Sequence, residues 1–134
     1  MIAPTEFQRR RRQLMRIIGR DAIAILPAAP ERIRSNDAHY PYRQDSDFHY
    51  LTGLDEPHAV LALVPGRKAG EVILFCRERD IERERWDGPR LGPERAVGQL
   101  VIDDAFPIDD IDDILPGMIE GRDRVYYHFG REVE

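Results

Sequence analysis

Cysteine is nearly missing from this sequence. Cys76 stands alone, so no internal disulfide can form, and a reducing compartment, the cytoplasm by default, is expected. A single thiol also excludes the common multi-thiolate zinc sites, which need several. Long apolar runs are missing too. None approaches the roughly 20 residues that span a bilayer, so no membrane partner is expected. Residues 1–12 hold no apolar segment ahead of a small-residue cleavage site, and no signal peptide is read there. Excess positive charge is absent: 20 basic against 25 acidic side chains leave −5, with a pI near 5.4. That balance gives no attraction to phosphate polymers, so nucleic acid is not an expected partner. Lysine occurs once, at Lys68, and the arginine bias is assigned no function. Catalytic signatures are likewise missing. There is no His-Glu-x-x-His, Gly-x-Ser-x-Gly, phosphate loop or dinucleotide glycine pattern.

What remains is the make-up of one soluble domain: 134 residues, 42% hydrophobic and 34% charged, with mean hydropathy −0.52. Thr5 is the expected N-cap of a first helix reaching Ile18, with Phe7, Leu14 and Ile18 on one face and Arg9, Arg12 and Arg16 on the other. Gly19 ends it. Ala22–Leu26 reads as a short buried strand closed by Pro27. From Ala28 to Asp45 the chain is polar, aromatic and proline-broken, hence irregular, with the residue before Pro41 held extended. Ser46 is the expected cap of a short helix ending at Gly53. Ala59–Val64 and Glu71–Cys76 read as strands joined by a turn-rich connection, an antiparallel hairpin. Arg79–Arg85 is densely charged, and Asp87–Pro93 is loop. A helix is expected over Glu94–Leu100 and another from Ile108, where Ile108, Ile111, Leu115, Met118 and Ile119 share a face and Pro116 should kink or break it. Val125–Phe129 reads as a final, buried strand. Together these give an α/β domain over residues 1–134: a mixed sheet flanked by helices.

Candidate chemistry is sparse. His39, His49, His58 and His128 show no pairing at helical ligand spacing and read as structural or surface histidines. The acidic pairs around Asp103, Asp109 and Asp112 read as solvated, dipole-favoured surface rather than a metal site. Arg9–Arg12 spreads around the whole helix circumference and forms no stripe. Cys76 ends an apolar run and reads as a small buried hydrophobe. Trp86, the only tryptophan, sits between a charged segment and a Gly/Pro-rich loop. On residue type alone it suits either a core anchor or a binding surface.

The stretch Tyr40-Pro41-Tyr42-Arg43-Gln44-Asp45-Ser46-Asp47-Phe48-His49-Tyr50-Leu51-Thr52-Gly53 closely resembles a signature block of the aminopeptidase P N-terminal domain. Further blocks follow in the family's order: Glu6–Arg11, Ala28–Glu31 with Arg34-Ser35, Glu56–Leu61, Arg77–Asp80 and Glu84-Arg85-Trp86-Asp87-Gly88-Pro89-Arg90-Leu91-Gly92. Beyond these, Val125–His128 is similar. The resemblance implies an Xaa-Pro aminopeptidase, which releases the first residue from peptides with proline second. It also implies that catalysis belongs to a separate C-terminal domain of the pita-bread fold. There, two manganese ions held by aspartates, a histidine and glutamates activate water and polarise the scissile carbonyl. None of those ligands can be placed in this chain, so on its own it is expected to bind no manganese and hydrolyse nothing. Trp86 matches a tryptophan that helps wall the substrate site in similar enzymes, with the Asp87–Gly92 loop positioning it. The family's N-terminal domains also assemble dimers and tetramers, so a homo-oligomer is implied. The signature block implies a structural role: Ser46 capping, Phe48 and Leu51 packing, and arginine–carboxylate pairs. The alternatives are the N-terminal domain of a prolidase, which cleaves only dipeptides, or a non-enzymatic protein-interaction module. Glu134 lies just after the last predicted strand, and a further helix and linker are expected beyond it.

Overall fold

The first helix shows how the sequence distributes its faces. In the computed structural model, which describes residues 2–31 and 42–127, α1 spans Pro4–Ile18 and buries Arg11, Met15 and Ile18. Arg9, Arg12 and Arg16 face solvent, as the periodicity predicts. Thr5 is not its cap. The helix begins at Pro4 behind Ala3, with no side-chain cap bond, because proline already supplies helical φ and needs no N–H partner there. Gly19 closes it at φ 86°, donating its N–H to the Met15 carbonyl.

Five strands follow: β1 (Ala22–Pro27), β2 (Val60–Leu63), β3 (Val72–Cys76), β4 (Asp104–Pro107) and β5 (Arg124–Tyr127). They form one sheet in the order β4-β3-β2-β1-β5, with β2 antiparallel to both neighbours and the outer pairings parallel. The predicted β2–β3 hairpin is present, with Val60 opposite Phe75 and Leu63 opposite Val72. Strand β4 was not legible: it holds one aromatic, an aspartate and a proline. It forms because Asp103 accepts hydrogen bonds from the Glu71 and Val72 N–H groups (2.8 and 3.0 Å), clamping its entry to the head of β3. Asp103 is exposed, as expected, and serves in addition as a structural acceptor.

Alternation along the central strands feeds two cores. Ala22, Ala24, Leu26, Leu61, Leu63, Leu74 and Cys76 face α1, α2 (Ser46–Thr52) and α4 (Pro93–Leu100). Ile23, Ile25, Ala62, Ile73 and Phe75 face α5 (Ile111–Ile119), which a 3-10 turn over Ile108–Asp110 precedes. The predicted apolar face of α5 packs there. Pro116 does not end the helix, which runs on to Ile119. The proline is exposed, and the carbonyl it cannot bond belongs to exposed Asp112, within reach of water. The final strand corrects another expectation. All four residues of β5 are exposed, and among the described residues it is an edge strand paired with β1 alone.

Arg11 ties the helical layer together. Only 1% exposed, it donates to the carbonyls of Leu51, at the end of α2, and of Leu100 and Val101, at the end of α4 (2.8–2.9 Å). Two negative helix ends thus share one guanidinium. Val101 takes a left-handed φ of 54°, unusual for a β-branched residue, and its carbonyl is fixed there by this bond.

Candidate functional site

The carboxyl ends of β1, β3 and β4 and the start of β2 open onto a cleft of about 920 Å³, bordered by Pro27, His58, Arg77, Arg83, Arg90 and Pro107. In open α/β sheets this is the end where ligands bind. Two polar assemblies hold the candidate segments, and only the second supplies residues to the border of this cleft.

The first is the tyrosine-rich block. The Gln44 side chain accepts from the Ala29 and Asp45 N–H groups (both 2.8 Å) and donates to the Leu54 and Glu56 carbonyls (3.1 and 3.0 Å). The Tyr42 hydroxyl donates to the Ala29 carbonyl at 2.6 Å, and burial pushes its pKa up to about 12. Phe48 and Leu51 are buried, as expected, but Ser46 is not the cap of α2. Asp45 is: its carboxylate accepts from the Asp47 and Phe48 N–H groups. A carboxylate at the N-cap also meets the positive helix end, which a serine does not. Arginine serves this block through Arg10, whose guanidinium lies 4.2 Å from the Tyr50 ring centroid and donates to the Tyr50 carbonyl. Tyr40 and Pro41 lie outside the described residues, as do Arg34-Ser35, His39, His128 and Phe129.

The second assembly carries Trp86. The charged segment is a helix, α3 (Ile81–Asp87), capped by Asp80, whose carboxylate accepts from the Arg83 N–H. Trp86 lies in its last turn, not on the following loop, and is 88% exposed, which removes the core-anchor reading. Arg83 and Asp87, on the same helix, border the cleft. Glu84 accepts from Arg79 Nη2 and Nε (3.0 and 3.3 Å) and from the Asp80 and Arg90 N–H groups (2.9 and 3.1 Å). The Arg79 bond foremost, with the backbone donors, holds its pKa down to about 2. The loop beyond is pinned in turn. Leu91 donates its N–H to Glu56 at 2.7 Å, and Arg95 donates to the Arg90 and Leu91 carbonyls. Gly92, at φ 80°, admits no side chain, since a Cβ there would stand 2.7 Å from Arg79 Cγ.

Other candidates resolve simply. Cys76 is buried, and desolvation raises its thiol pKa to about 12, so it packs as a hydrophobe. His49 lies 3.6 Å from Asp55, and His58 lies 3.9 Å from Glu31, both at the surface. Among the described residues no three His, Cys, Asp or Glu side chains gather as a metal ion requires. The residues described here therefore do not fit a manganese site. No helix among them is long and apolar enough to cross a membrane.

The model of the aminopeptidase P N-terminal domain matches residues 7–127. The chain belongs to that family. Its aminopeptidase P relatives include the Xaa-Pro aminopeptidase of Escherichia coli, 42% identical over 96% of this chain but only 30% of its own length. Human Xaa-Pro aminopeptidase 3 is 33% identical over 97% of the chain and 28% of its own length. Among solved structures, Pseudomonas aeruginosa aminopeptidase PepP superposes with a TM-score of 0.92 at 62% identity, covering 98% of this chain and 30% of that one. The E. coli aminopeptidase P structure with the inhibitor Pro-Leu gives a TM-score of 0.89 at 41% identity over the same shares. The chain thus spans about 30% of the length of these relatives. The aminopeptidase P fold inferred from the sequence is the fold found. Glu56 and Glu84 each open a block of the family resemblance, but the roles they play in shaping the site were not assigned from sequence. Glu84 lies four residues past the helix-capping Asp80, one beyond the capping-box position, so that pattern did not mark it.

Proposed function

We propose that this chain is the N-terminal domain of a manganese-dependent Xaa-Pro aminopeptidase, which removes the first residue from peptides with proline second. The domain serves assembly and walls the substrate site, and the metal is held by residues outside those described. One observation carries the reading: in a chain of this family, the single tryptophan stands 88% exposed on a helix that buries no residue of its own. A large aromatic left in water on an anchored helix is costly to display unless something packs against it. That something is the peptide substrate, or the site of a neighbouring copy in a homo-oligomer. The buried, unreactive Cys76 suits a cytoplasmic setting.

The test is Trp86→Ala in the full-length protein. Loss of a wall contact should lower kcat/KM for an Xaa-Pro peptide by roughly tenfold to a hundredfold, about 1–3 kcal/mol of transition-state binding. The melting temperature should hardly move, because the indole buries little within the domain. Unchanged kcat/KM would sink the proposal.

A further inference from the structure

We infer that Glu84 is the positioning residue for Trp86, holding α3 against the domain so that the indole projects in one fixed pose. Every other α-helix is anchored by at least one buried residue among those described: Met15 and Ile18 on α1, Phe48 and Leu51 on α2, Ala96 on α4, Met118 on α5. Helix α3 has none. Ile81 is 71% exposed and Trp86 88% exposed. A helix of seven residues does not persist in water by propensity alone. Its attachment must therefore be polar, and Glu84 supplies it.

The Glu84 side chain is 9% exposed, against 50% for its partner Arg79. Its four donors come from both sides of the helix. Arg79 and the Asp80 N–H precede α3, and the Arg90 N–H follows it. One carboxylate therefore staples the entry and the exit of the same element. Glu84 and Trp86 are two residues apart, about 200° around a helix. Whatever fixes the first inward fixes the second outward. Glu82 offers the contrast: on the same helix and exposed, its side chain takes part in no hydrogen bond or ion pair among the described residues. A contacting group loosened by an ångström can cost a reaction as much as the group's removal, which is why supporting contacts matter at such sites.

The catalytic consequence rests on the proposed role of Trp86, but the structural part does not, and the two separate cleanly. Trp86 is the only tryptophan in the chain, so time-resolved fluorescence anisotropy reports on α3 without activity. Glu84→Ala should lower the slowly decaying anisotropy by about half, as nanosecond motion of a released segment replaces tumbling with the domain. Glu84→Gln, which keeps an acceptor oxygen, should fall between, and Glu82→Ala should match the unaltered chain. Circular dichroism melts should show the rest of the domain folded. Should Glu84→Ala unfold it, Arg79→Gln, which removes the strongest donor from outside the helix, takes its place. Unchanged anisotropy in the folded variant overturns the inference. In the full-length protein Glu84→Ala should reduce kcat/KM about tenfold, and adding it to Trp86→Ala should cost little more, since both act through one group. If Trp86→Ala is kinetically silent while Glu84→Ala still loosens the indole, the wall reading falls and the positioning role stands. If Trp86→Ala slows the enzyme but Glu84→Ala changes neither anisotropy nor kcat/KM, the positioning role falls.

Discussion

Arg11 and its neighbours show how differently the four consecutive arginines of α1 are used. Arg9 pairs with Glu6 at 2.7 Å in water, Arg10 stacks on Tyr50, Arg12 is exposed, and Arg11 is buried against three carbonyls. Burial draws the Arg11 pKa down to about 10, which leaves it charged at neutral pH. Removing it strands carbonyls at two helix ends. Arg11→Met should therefore cost about 3–5 kcal/mol in urea unfolding, given the penalty of roughly 1–3 kcal/mol per unpaired buried group. Arg11→Lys should recover part of it, because an ammonium reaches fewer of the three acceptors. A loss below about 1 kcal/mol for Arg11→Met would show that water replaces the guanidinium. Periodicity could place Arg11 on the helix but not see this. A charged residue reads as polar face until the ends of two other helices are known to converge there. Trp86 drew attention for the opposite reason. A lone tryptophan followed by a glycine-rich loop stands out in sequence even though its exposure does not.

At the scale of elements, the sequence revealed those with an apolar period and missed those built from polar contacts. Strands β1, β2 and β3 and helices α1 and α5 carry buried, regularly spaced hydrophobes, and all were anticipated. Strand β4 and helix α3 were not. One depends on Asp103 and the other on Glu84, and both side chains act on partners remote from a local window or beyond a loop. That origin makes α3 sensitive to acid. Glu84 has its pKa lowered from 4.5 to about 2 in the fold, so its contribution is fully present above pH 4.5 and is lost as pH falls toward about 2. The emission and anisotropy of Trp86 should change across that window, and Glu84→Gln should abolish most of the change. Glu6 titrates over the same range but lies on α1, bonded to Arg9 and Arg10. It should affect overall melting rather than the indole. A Trp86 signal flat between pH 4.5 and 2 while the domain stays folded would contradict this account.

For the whole molecule, the two edges of the sheet are not equivalent. Strand β4 closes one edge with Asp104, whose carboxylate accepts from the Ala105 N–H, and with Pro107, which has no N–H to offer another strand. Strand β5 closes the other with Val125 and Tyr126, each 47% exposed, in a run of high β-propensity without proline. An edge of that kind invites pairing with a second strand. The chain at high concentration should therefore self-associate through β5 and not through β4. The association should be weak, because a four-residue edge offers less than the roughly 1,000 Å² that a stable interface buries. Sedimentation equilibrium across a wide concentration range measures it. Tyr126→Lys places a charge on the pairing edge and should weaken dimerisation at least about tenfold, the usual effect of an edge lysine being to oppose strand addition. Asp104→Lys, at the opposite edge, should leave the dimer unchanged. A chain that stays monomeric throughout, or one whose association responds to Asp104→Lys and not to Tyr126→Lys, would show that β5 is not the edge that pairs.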